Sequence, residues 1–494
     1  MTRRRTIAPL AALLAVSFAP ASAADDDFDD PAPPAVEALP AIDPPAAEAF
    51  DGRTVHRAPR PLVEGAVVEE WPGFLGPRRD GICRETPLAE RWGSEGPPKL
   101  WEAERGEGYA SPAVADGRVV LCHRVDGDTH VDCHDLTTGR RFWRHSFPTT
   151  FRDDYIKNGG PRATPAIADG VVFVHGIEGR LIALELATGR VVWERHPTKE
   201  FGVPDLFFGV VASPLIRGDT VVVNLGASGG PCVAAFDRAS GRLVWGAGDA
   251  WGASCASPVV GRFGGRERLL VLTGGKTRPP TGGLMVLDPD SGAVDFSFPF
   301  RSRTYASVNG ASPVAIGGGV LLTASYGTGT VLLDPGPANG GDAPVERWRK
   351  RRWGIQFGTP VAVDGALWVV DGAPTRAGAI VRLDPATGEE TARLDVDVPR
   401  RFGERSVDTS VGEGALLALG DDRLLCLGDT GLLLLLALDE DGPRVVASHA
   451  DWSNTDTWTP PAISSGVLLL AQNSPCRFTG APARWIAYDL RAGG

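Results

Sequence analysis

Short apolar segments recur along most of this chain, and turn residues separate them. Each segment follows a Ser or Thr, usually with Pro next to it and a Gly five or six positions later. Continuous apolar runs of this kind, bounded by Gly, Pro and Asp, are typical of buried β strands. The pattern therefore predicts a chain that is built almost entirely of strands.

The Ser/Thr motif occurs eight times at a nearly regular spacing. Its copies begin at Ser111, Thr164, Ser213, Ser257, Ser312, Thr359, Thr409 and Thr459. Successive copies are 44 to 55 residues apart. A period of roughly 40 to 50 residues with several short strands in each repeat is typical of a β-propeller, in which one repeat forms one blade.

A second motif follows the first in each repeat and predicts how the blades pack. An acidic residue precedes a Thr-Gly or Ser-Gly turn, and a Trp comes four residues after the Gly. The clearest copies span 133–143, 183–193 and 235–245, and weaker ones begin at Leu287, Leu333 and Leu383. The carboxylate accepts hydrogen bonds from the turn, and Gly supplies its positive φ. We expect the Trp residues of this phase to pack one blade against the next, namely Trp143, Trp193, Trp245 and Trp348.

The last repeat lacks an outer strand, because only four residues follow Leu490. The segment Lys99-Leu100-Trp101 has the apolar-Trp ending of an outer strand and precedes the first repeat, so it can pair with the C-terminal strand. Such closure removes exposed sheet edges. The 424 residues from Trp71 to Gly494 then divide into eight blades of 53 residues. We predict an all-β, eight-bladed β-propeller over 71–494, closed by an N-terminal strand.

The chain begins with the features of a secretory signal. Arg3, Arg4 and Arg5 precede a short apolar stretch, and Ala21-Ser22-Ala23 is a typical cleavage site, so residues 1–23 are predicted to be a signal peptide. No later apolar run is long enough to span a membrane. We therefore expect an exported protein, periplasmic or extracellular, without a membrane span.

Residues 24–70 differ in composition from the rest of the chain. They are rich in Ala and Pro, with 12 acidic residues against three arginines. Such a stretch buries too little apolar surface to offset its conformational entropy, so we predict a disordered acidic linker. The linker carries most of the formal net charge of -11, and a mildly acidic propeller argues against nucleic acid as a partner.

Cysteines and histidines in the first blade suggest two further features. A hairpin around Asp126-Gly127 whose register pairs Val125 with His130 would set Cys122 opposite Cys133, which permits a disulfide; two buried thiols are the alternative. The first blade also holds His123, His130, His134 and His145. Ordinary surface histidines are preferred to a metal site there, because only His130 and His134 need share a face.

Residues just before each Ser/Thr motif should line one mouth of the central channel. The eight candidates are Tyr109, Arg162, Phe208, Trp251, Asn309, Gln356, Asp408 and Trp458. They mix aromatic with a few polar groups, as ligand pockets do. Asp408 and Arg162 would face a ligand or, alternatively, satisfy each other and nearby backbone in a water-filled channel.

Three surface segments complete the set of candidates. The segment 347–353 contains five cations and two Trp, so it would dock an acidic partner or form a solvated outer strand. The connections 147–162 and 199–208 are long and carry aromatic residues. They would form a lid or a partner surface over the channel, or be tolerated insertions.

The second motif resembles the PQQ repeat, whose pattern is Ala-x-Asp-x-x-Thr-Gly-x-x-x-Trp. The copy at 235–245 differs from it only by Ser for Thr. The opening segment 71–81 also resembles the entry segment of PQQ-binding-like propellers related to the BamB outer-membrane assembly family. This resemblance implies an exported binding scaffold for a protein or extracellular ligand, with no cofactor required.

Quinoprotein dehydrogenases share this architecture and give the alternative function. Their resemblance implies PQQ with calcium in the central funnel, with Asp408 as the candidate base and Trp251 or Trp458 as the stacking platform. The chain has neither the adjacent Cys-Cys pair typical of those enzymes nor the C-x-x-C-H haem motif of some relatives. The non-catalytic scaffold is therefore the favoured interpretation, with no catalytic residue and no metal ligand assigned.

Overall fold

Eight blade sheets, six with four strands and two with five, form a complete ring in this protein. The computed structural model describes residues 28–155, 158–336, 344–373, 376–402, 404–440, 442–450 and 456–492. The predicted all-β, eight-bladed propeller is confirmed. The predicted signal peptide, residues 1–23, lies outside the described residues.

The strands follow one another blade by blade. Three strands precede the first complete blade: β1 Arg53–Val55, β2 Ile82–Cys83 and β3 Lys99–Glu104. Blades 1 to 3 contain β4 Ala113–Ala115, β5 Arg118–Val125, β6 Asp128–Asp135, β7 Arg141–Pro148, β8 Ala166–Ala168, β9 Val171–His175, β10 Leu181–Glu185, β11 Val191–Arg195, β12 Leu215–Arg217, β13 Thr220–Asn224, β14 Val233–Asp237 and β15 Leu243–Ala247. A four-residue helix, α1 Pro197–Glu200, follows blade 2.

The later blades repeat this order. Blades 4 to 6 contain β16 Val259–Phe263, β17 Arg266–Leu272, β18 Gly283–Leu287, β19 Val294–Pro299, β20 Val314–Ile316, β21 Gly319–Ala324, β22 Gly329–Asp334, β23 Val345–Lys350, β24 Val361–Val363, β25 Ala366–Ala373, β26 Arg376–Leu383 and β27 Glu390–Asp395. A hairpin, β28 Val398–Phe402 and β29 Arg405–Thr409, leads to blade 7, formed by β30 Ala415–Leu419, β31 Arg423–Leu427, β32 Leu433–Asp439 and β33 Gly442–His449. Blade 8 contains β34 Ala462–Ser464, β35 Val467–Ala471 and β36 Arg484–Asp489. None of the described residues forms a helix of the length and apolarity needed to cross a bilayer.

The ring closes as the sequence predicts. Strand β3 pairs antiparallel with β36, with Trp101 opposite Ala487, and so becomes the outer strand of blade 8. Strand β1 then adds to the far edge of β3. The first and last parts of the propeller therefore share one sheet.

The Ser/Thr motif forms hydrogen bonds between neighbouring blades. The backbone N–H of Ser111 donates to Thr164 Oγ1 at 3.2 Å, and that of Thr164 donates to Ser213 Oγ at 2.9 Å. The same contact recurs from Ser213 to Ser257, from Ser257 to Ser312 and from Ser312 to Thr359. The hydroxyl explains why the motif begins with Ser or Thr, because it satisfies a buried N–H of the preceding blade.

In five blades, a Trp of the outer strand lies beneath the turn of the next blade. Trp143 in blade 1 donates its indole N–H to Leu186 O at 2.9 Å, and a Cβ placed on Gly189 would lie 2.6 Å from the Trp143 ring. The equivalent pairs are Trp101 with Gly139, Trp193 with Gly241, Trp245 with Gly292, and Trp348 with Gly388. The predicted packing role of Trp143, Trp193, Trp245 and Trp348 is what the structure shows.

The N-terminal segment lies along the outside of the propeller, which differs from the expectation of disorder. Asp30 accepts hydrogen bonds from Arg195 (2.8 Å) and from the Leu243 amide (2.7 Å), between blades 2 and 3. Glu48 exchanges backbone hydrogen bonds with Arg141 of blade 1. We call residues 28–60 the belt. Its composition is polar, but it needs little core of its own because it docks on edges that the blades provide. The domain boundary at residue 70 stays a prediction.

Residues 69–85 occupy the centre of the ring. Trp71 exchanges backbone hydrogen bonds with Val114 of blade 1, and Arg79 donates to Pro214 O of blade 3 at 2.8 Å. Strand β2 pairs in parallel with β30, the innermost strand of blade 7. We call this segment the channel insert. This segment, and not water alone, occupies the channel that one interpretation of the sequence had left filled with water.

The hairpin of blade 1 has a different register from the predicted one. Asp126 and Gly127 both have positive φ, 51° and 106°, which makes a two-residue turn and sets Val125 opposite Asp128. Cys122 therefore lies opposite Val131, and Cys133 opposite Val120. The predicted disulfide is wrong, and both thiols are free and buried.

Candidate functional site

The residues that precede the innermost strands lie together at one end of the ring, as expected from the shared direction of those strands. We call this end the mouth face. At its centre, the ring of Trp458 stacks on Tyr109 on one side (5.5 Å between centroids) and on Phe357 on the other (4.8 Å). The stack joins blades 1, 6 and 8. Trp458 and Tyr109 were predicted to line the mouth, whereas Phe357 was missed although it follows Gln356 directly.

Arg162 lies at the mouth, but its ion-pair partner is Asp153 and not Asp408. It forms an ion pair with the buried carboxylate of Asp153 and donates to Asn158 O at 3.0 Å. Its guanidinium lies 5.2 Å from the Tyr109 ring and 5.3 Å from the Phe208 ring. Arg162 therefore links the aromatic stack to the connection 147–162, which supplies Asp153.

Asp408 belongs to a hairpin between blades 6 and 7. It is an exposed residue of β29, where it pairs with Pro399 in the β28–β29 hairpin. The adjacent Thr409 donates its hydroxyl to Val398 O at 2.7 Å. The hydroxyl of the seventh motif therefore bonds within the hairpin.

Asn309 and Gln356 are buried and hold loops. The Asn309 side chain donates to Thr273 O at 2.7 Å and to Phe300 O at 2.9 Å, and Gln356 donates to Val308 O at 2.6 Å. Trp251 is half-buried and contacts Cys232 through its backbone. These three predicted residues shape the mouth face but lie outside the central stack.

A group of carboxyl side chains lies beside the stack, and the sequence pattern missed it. Glu413 precedes β30, Asp429 lies in the turn between β31 and β32, and the Glu413 amide donates to Asp429 at 3.1 Å. Burial and the neighbouring Asp429 raise the pKa of Glu413 to about 7, and burial raises the pKa of Asp429 to about 6. Asp456 completes the group and lies 3.4 Å from the Tyr109 hydroxyl. These carboxyls come from three separate turns, so no spacing in the sequence marks them.

The two long connections meet on the mouth face. Tyr155 of the first stacks on Phe208 of the second at 5.5 Å, and the neighbouring Phe207 packs edge-on against Tyr305 at 5.0 Å. Lys276 pairs with Asp154 at 2.9 Å. The connections are therefore held in place by aromatic and ionic contacts, and they leave Tyr155 exposed.

Two small cavities lie among the described residues of the mouth face. A cavity of about 10 Å³ lies between the channel insert and the stack, lined by Leu75, Phe357, Glu413 and Trp458 among others. A second cavity of about 10 Å³ lies beside Phe208 and Lys276. Each holds about one water molecule, so these residues do not fit a tricyclic quinone between them.

The histidines of blade 1 were expected at the surface, but His123 and His134 are buried. Asp132 lies beneath His123 (3.3 Å) and His134 (3.6 Å) and accepts two hydrogen bonds of 2.6 Å from Arg144. Over the described ranges, no group of three His, Cys, Asp or Glu side chains has the arrangement of a metal site.

The basic segment 347–353 begins in β23, the outer strand of blade 5. Arg347 pairs with Asp334, and Arg349 with Glu346. Lys350 and Arg352 pair with Glu389 and Glu390. These pairs favour the interpretation as a solvated outer strand.

Comparisons with known proteins give two groups of relatives. A family model described as outer membrane protein assembly factor BamB matches residues 127–393, more than half of the chain. The outer membrane protein assembly factor BamB of Shewanella oneidensis is 27% identical over 158 residues, which cover 30% of this chain and 36% of that protein. The 1-butanol dehydrogenase (cytochrome c) of Thauera butanivorans is 31% identical over 136 residues, 26% of this chain and 18% of the dehydrogenase. The matches thus span less than two fifths of these curated relatives.

A solved structure extends the likeness to most of the ring. The quinohemoprotein alcohol dehydrogenase from Comamonas testosteroni has a TM-score of 0.57 at 14% identity, with 86% of this chain and 81% of that chain covered. At this identity the likeness shows the fold alone.

Proposed function

Since this chain belongs to the family of the outer membrane protein assembly factor BamB, we propose that it is an exported, non-catalytic scaffold that binds a protein partner through its mouth face. The observation that carries the proposal is the set of aromatic side chains presented there. Tyr155, Tyr326 and Phe357 are exposed, and Trp458 is half-buried behind Phe357. Exposed aromatic residues at one end of a rigid fold are typical of protein-binding surfaces.

The backbone conformation of Tyr326 is a second argument for a binding role. It lies in the turn between β21 and β22 with a φ of 56°, a conformation that a bulky residue rarely adopts. Its carbonyl accepts a hydrogen bond of 3.1 Å from Ser302, which holds the turn. A side chain that is 59% exposed gains no packing from this strain, so a role in binding is the explanation that we favour.

A PQQ-dependent dehydrogenase is less well supported by the arrangement of the mouth. Trp458, a candidate platform for a quinone, is covered on both faces by Tyr109 and Phe357. The channel insert reaches the same residues from below. Asp408, the candidate base, lies in a separate hairpin. Only the dehydrogenase alternative requires PQQ and calcium, so we assign no reaction step to them.

Site-specific photocrosslinking tests the scaffold. A photoreactive amino acid replaces Phe357, which is 36% exposed, and in a control it replaces Val445 of the outer strand β33, which is 38% exposed. We expect Phe357, and not Val445, to give a discrete protein adduct in cells that express the full chain.

Two results would count against this function. Equal crosslinking from both positions would indicate a general surface rather than a mouth site. Saturable binding of PQQ with calcium by the purified chain, detected as a stoichiometric quinone absorbance, would favour the dehydrogenase.

A further inference from the structure

One sector of the mouth face is rich in cations. Four segments of blades 4 and 5 join a second strand to a third, or an outer strand to the next blade, and so lie at the mouth end. Together they contain six Lys and Arg residues and no Asp or Glu. We call them the basic sector, which consists of residues 273–282, 300–310, 325–328 and 351–358.

The basic sector differs from the rest of the chain. The comparable connections that follow blades 1 and 2 contain acidic and basic residues together, and the whole chain has a formal net charge of -11. The concentration of one sign of charge on two neighbouring blades therefore needs a local explanation.

Hydrogen bonds hold the four segments side by side. Three side chains of the sector donate to backbone carbonyl groups of a neighbouring segment. The pairs are Arg301 with Gly275 (2.8 Å), Ser302 with Tyr326 (3.1 Å), and Arg351 with Gly327 (3.2 Å). Because these contacts connect all four segments, the sector is one continuous surface.

Most of the positive charge of the sector lacks a carboxylate partner. Lys276 pairs with Asp154 at 2.9 Å, and Arg352 lies 3.4 Å from Glu390. The other four cations form no ion pair with any residue that the structure describes, namely Arg278, Arg301, Arg303 and Arg351. All of these except the half-buried Arg301 are exposed.

Three further acids lie near the sector without cancelling this excess. Asp205 lies near Lys276, which is already paired, and Glu346 pairs with Arg349 outside the sector. Burial and a neighbouring carboxylate raise the pKa of Glu413 to about 7, so this side chain carries only part of its charge at neutral pH. The sector therefore keeps an excess of positive charge.

Arg278 is held in a position that suits the recognition of a carboxylate. Its guanidinium carbon lies 3.8 Å from the centre of the Tyr305 ring, and Tyr305 packs against Phe207 at 5.0 Å. A guanidinium that is stacked on a ring keeps the N–H donors at its edge, where a carboxylate binds with two parallel hydrogen bonds. The stacking thus orients Arg278 without using these donors.

An acidic protein segment fits this surface better than a nucleic acid or an anionic bilayer. Those two are extended polyanions, so they would also meet the acidic surface of the rest of the chain. A short segment can reach the sector alone.

We propose that the basic sector binds an acidic segment of a partner protein. The carboxylates of the segment bind Arg278, Arg303 and Arg351, and its apolar groups pack on Tyr326 and Phe357, which are exposed. This inference rests on the proposed function, since it gives the chemistry of the protein that the mouth face binds.

Fluorescence anisotropy of labelled hexaglutamate tests the proposal on the full chain, with the uncharged hexaglutamine as its matched analogue. We expect hexaglutamate to bind about ten-fold more tightly than hexaglutamine, because only its carboxylates form charge-assisted hydrogen bonds. Its affinity should fall as salt is added, since salt screens exposed charges. The sector variant, Arg278→Gln/Arg303→Gln/Arg351→Gln, should weaken hexaglutamate binding about ten-fold.

A second triple variant controls for net charge. The control variant, Arg140→Gln/Arg242→Gln/Arg266→Gln, removes the same charge from exposed arginines in or beside turns at the opposite end of the propeller. It should bind hexaglutamate as the unmodified chain does. An equal loss of affinity in both triple variants would assign the attraction to net charge and overturn the proposal.

Photocrosslinking from Phe357 separates this inference from the proposed function. We expect the yield of the protein adduct to fall several-fold in the sector variant and to stay unchanged in the control variant. An undiminished adduct in the sector variant would overturn this inference and leave the protein-binding mouth in place. If the unmodified chain gives no adduct, both fail together.

Two further results would overturn the proposal. One is binding of hexaglutamine as tight as that of hexaglutamate. The other is tighter binding of phosphatidylglycerol vesicles than of hexaglutamate, lost in the sector variant, which would assign the basic sector to an anionic bilayer.

Discussion

At the scale of single residues, Asp132 is the most strongly constrained charge in blade 1. It is 1% exposed, and burial alone would raise its pKa. The two hydrogen bonds from Arg144, together with the nearby rings of His123 and His134, outweigh burial and hold the pKa of Asp132 well below its usual value. The carboxylate therefore stabilises the folded state in its ionised form.

Asp132→Asn should lower the free energy of unfolding by about 3 kcal/mol at pH 7, because it breaks a buried ion pair. The pKa of Asp132 is lower in the folded state than in the unfolded state, where it is about 3.9. The stabilisation is therefore present above the unfolded pKa and is lost as the pH falls through the folded pKa. Urea unfolding of both proteins from pH 7 to pH 3 checks this. Asp128→Asn, exposed on the same strand, is the control. A difference that stays constant down to pH 3 would contradict the assignment.

Some mouth residues were predictable one by one, and others were not. Tyr109, Arg162 and Trp458 were found from their place before a repeated motif. Asp153 and Asp429 come from turns that the fold brings to the mouth from elsewhere in the chain. A single sequence contains no local sign of such contacts, because they depend on how neighbouring blades are placed.

At the scale of the element, the turn glycines are fitted to the Trp of the preceding blade. Gly189 has a φ of 74° and lies against Trp143, whereas Gly170 in the same blade has a φ of 73° and open space around it. Both positions require a positive φ, but only Gly189 contacts a Trp ring. They make a matched pair for measuring the packing between blades.

Gly170→Ala should cost about 1 kcal/mol of unfolding free energy, the strain of an Ala at positive φ. Gly189→Ala should cost at least about 2 kcal/mol more, because its Cβ must displace the Trp143 ring. Chemical denaturation followed by Trp fluorescence measures both. Equal losses would mean that the ring moves freely and that this contact does not hold the blades together.

The sequence predicted blades better than it predicted hairpin register. The Ser/Thr motif marks every repeat and the Trp marks five blades, because both make contacts between blades and so recur at fixed phase. The blade 1 hairpin was misaligned since its turn has two residues rather than four, which shifts every pair of β5 and β6. The β28–β29 hairpin interrupts the pattern before blade 7, and Asp408 is one of its residues.

At the scale of the whole molecule, the N-terminal belt contacts several blades from outside. Its composition predicted disorder, since it has too few apolar residues for a core of its own. Asp30 is nevertheless held by Arg195, which is 3% exposed and also pairs with Glu200. Burial raises the pKa of Asp30, but the hydrogen bonds from Arg195 and from backbone amides, together with the charge of Arg195, outweigh this effect and lower it. Composition alone cannot predict docking on a surface formed by distant blades.

Asp30→Asn should loosen the belt with little effect on global stability, because Arg195 keeps Glu200 as a partner. The Leu243 amide, which donates to Asp30, should exchange about ten-fold faster, since the loss of one charge-assisted hydrogen bond is worth about 1.5 kcal/mol. Hydrogen-exchange mass spectrometry of the β15 region measures this. Asp29→Asn, at an exposed neighbour, is the control. Unchanged exchange at Leu243 would show that the belt is held by other contacts.

The pairing of β3 with β36 has a consequence for how the chain is made. The two strands are separated by almost the whole propeller, so β3 cannot find its partner until residues 484–489 have left the ribosome. Until then both edges of the growing stack of blades are unpaired, and contacts this distant in sequence form slowly. Ring closure is thus a late step, and a prematurely terminated chain would keep an open edge that chaperones and proteases can recognise.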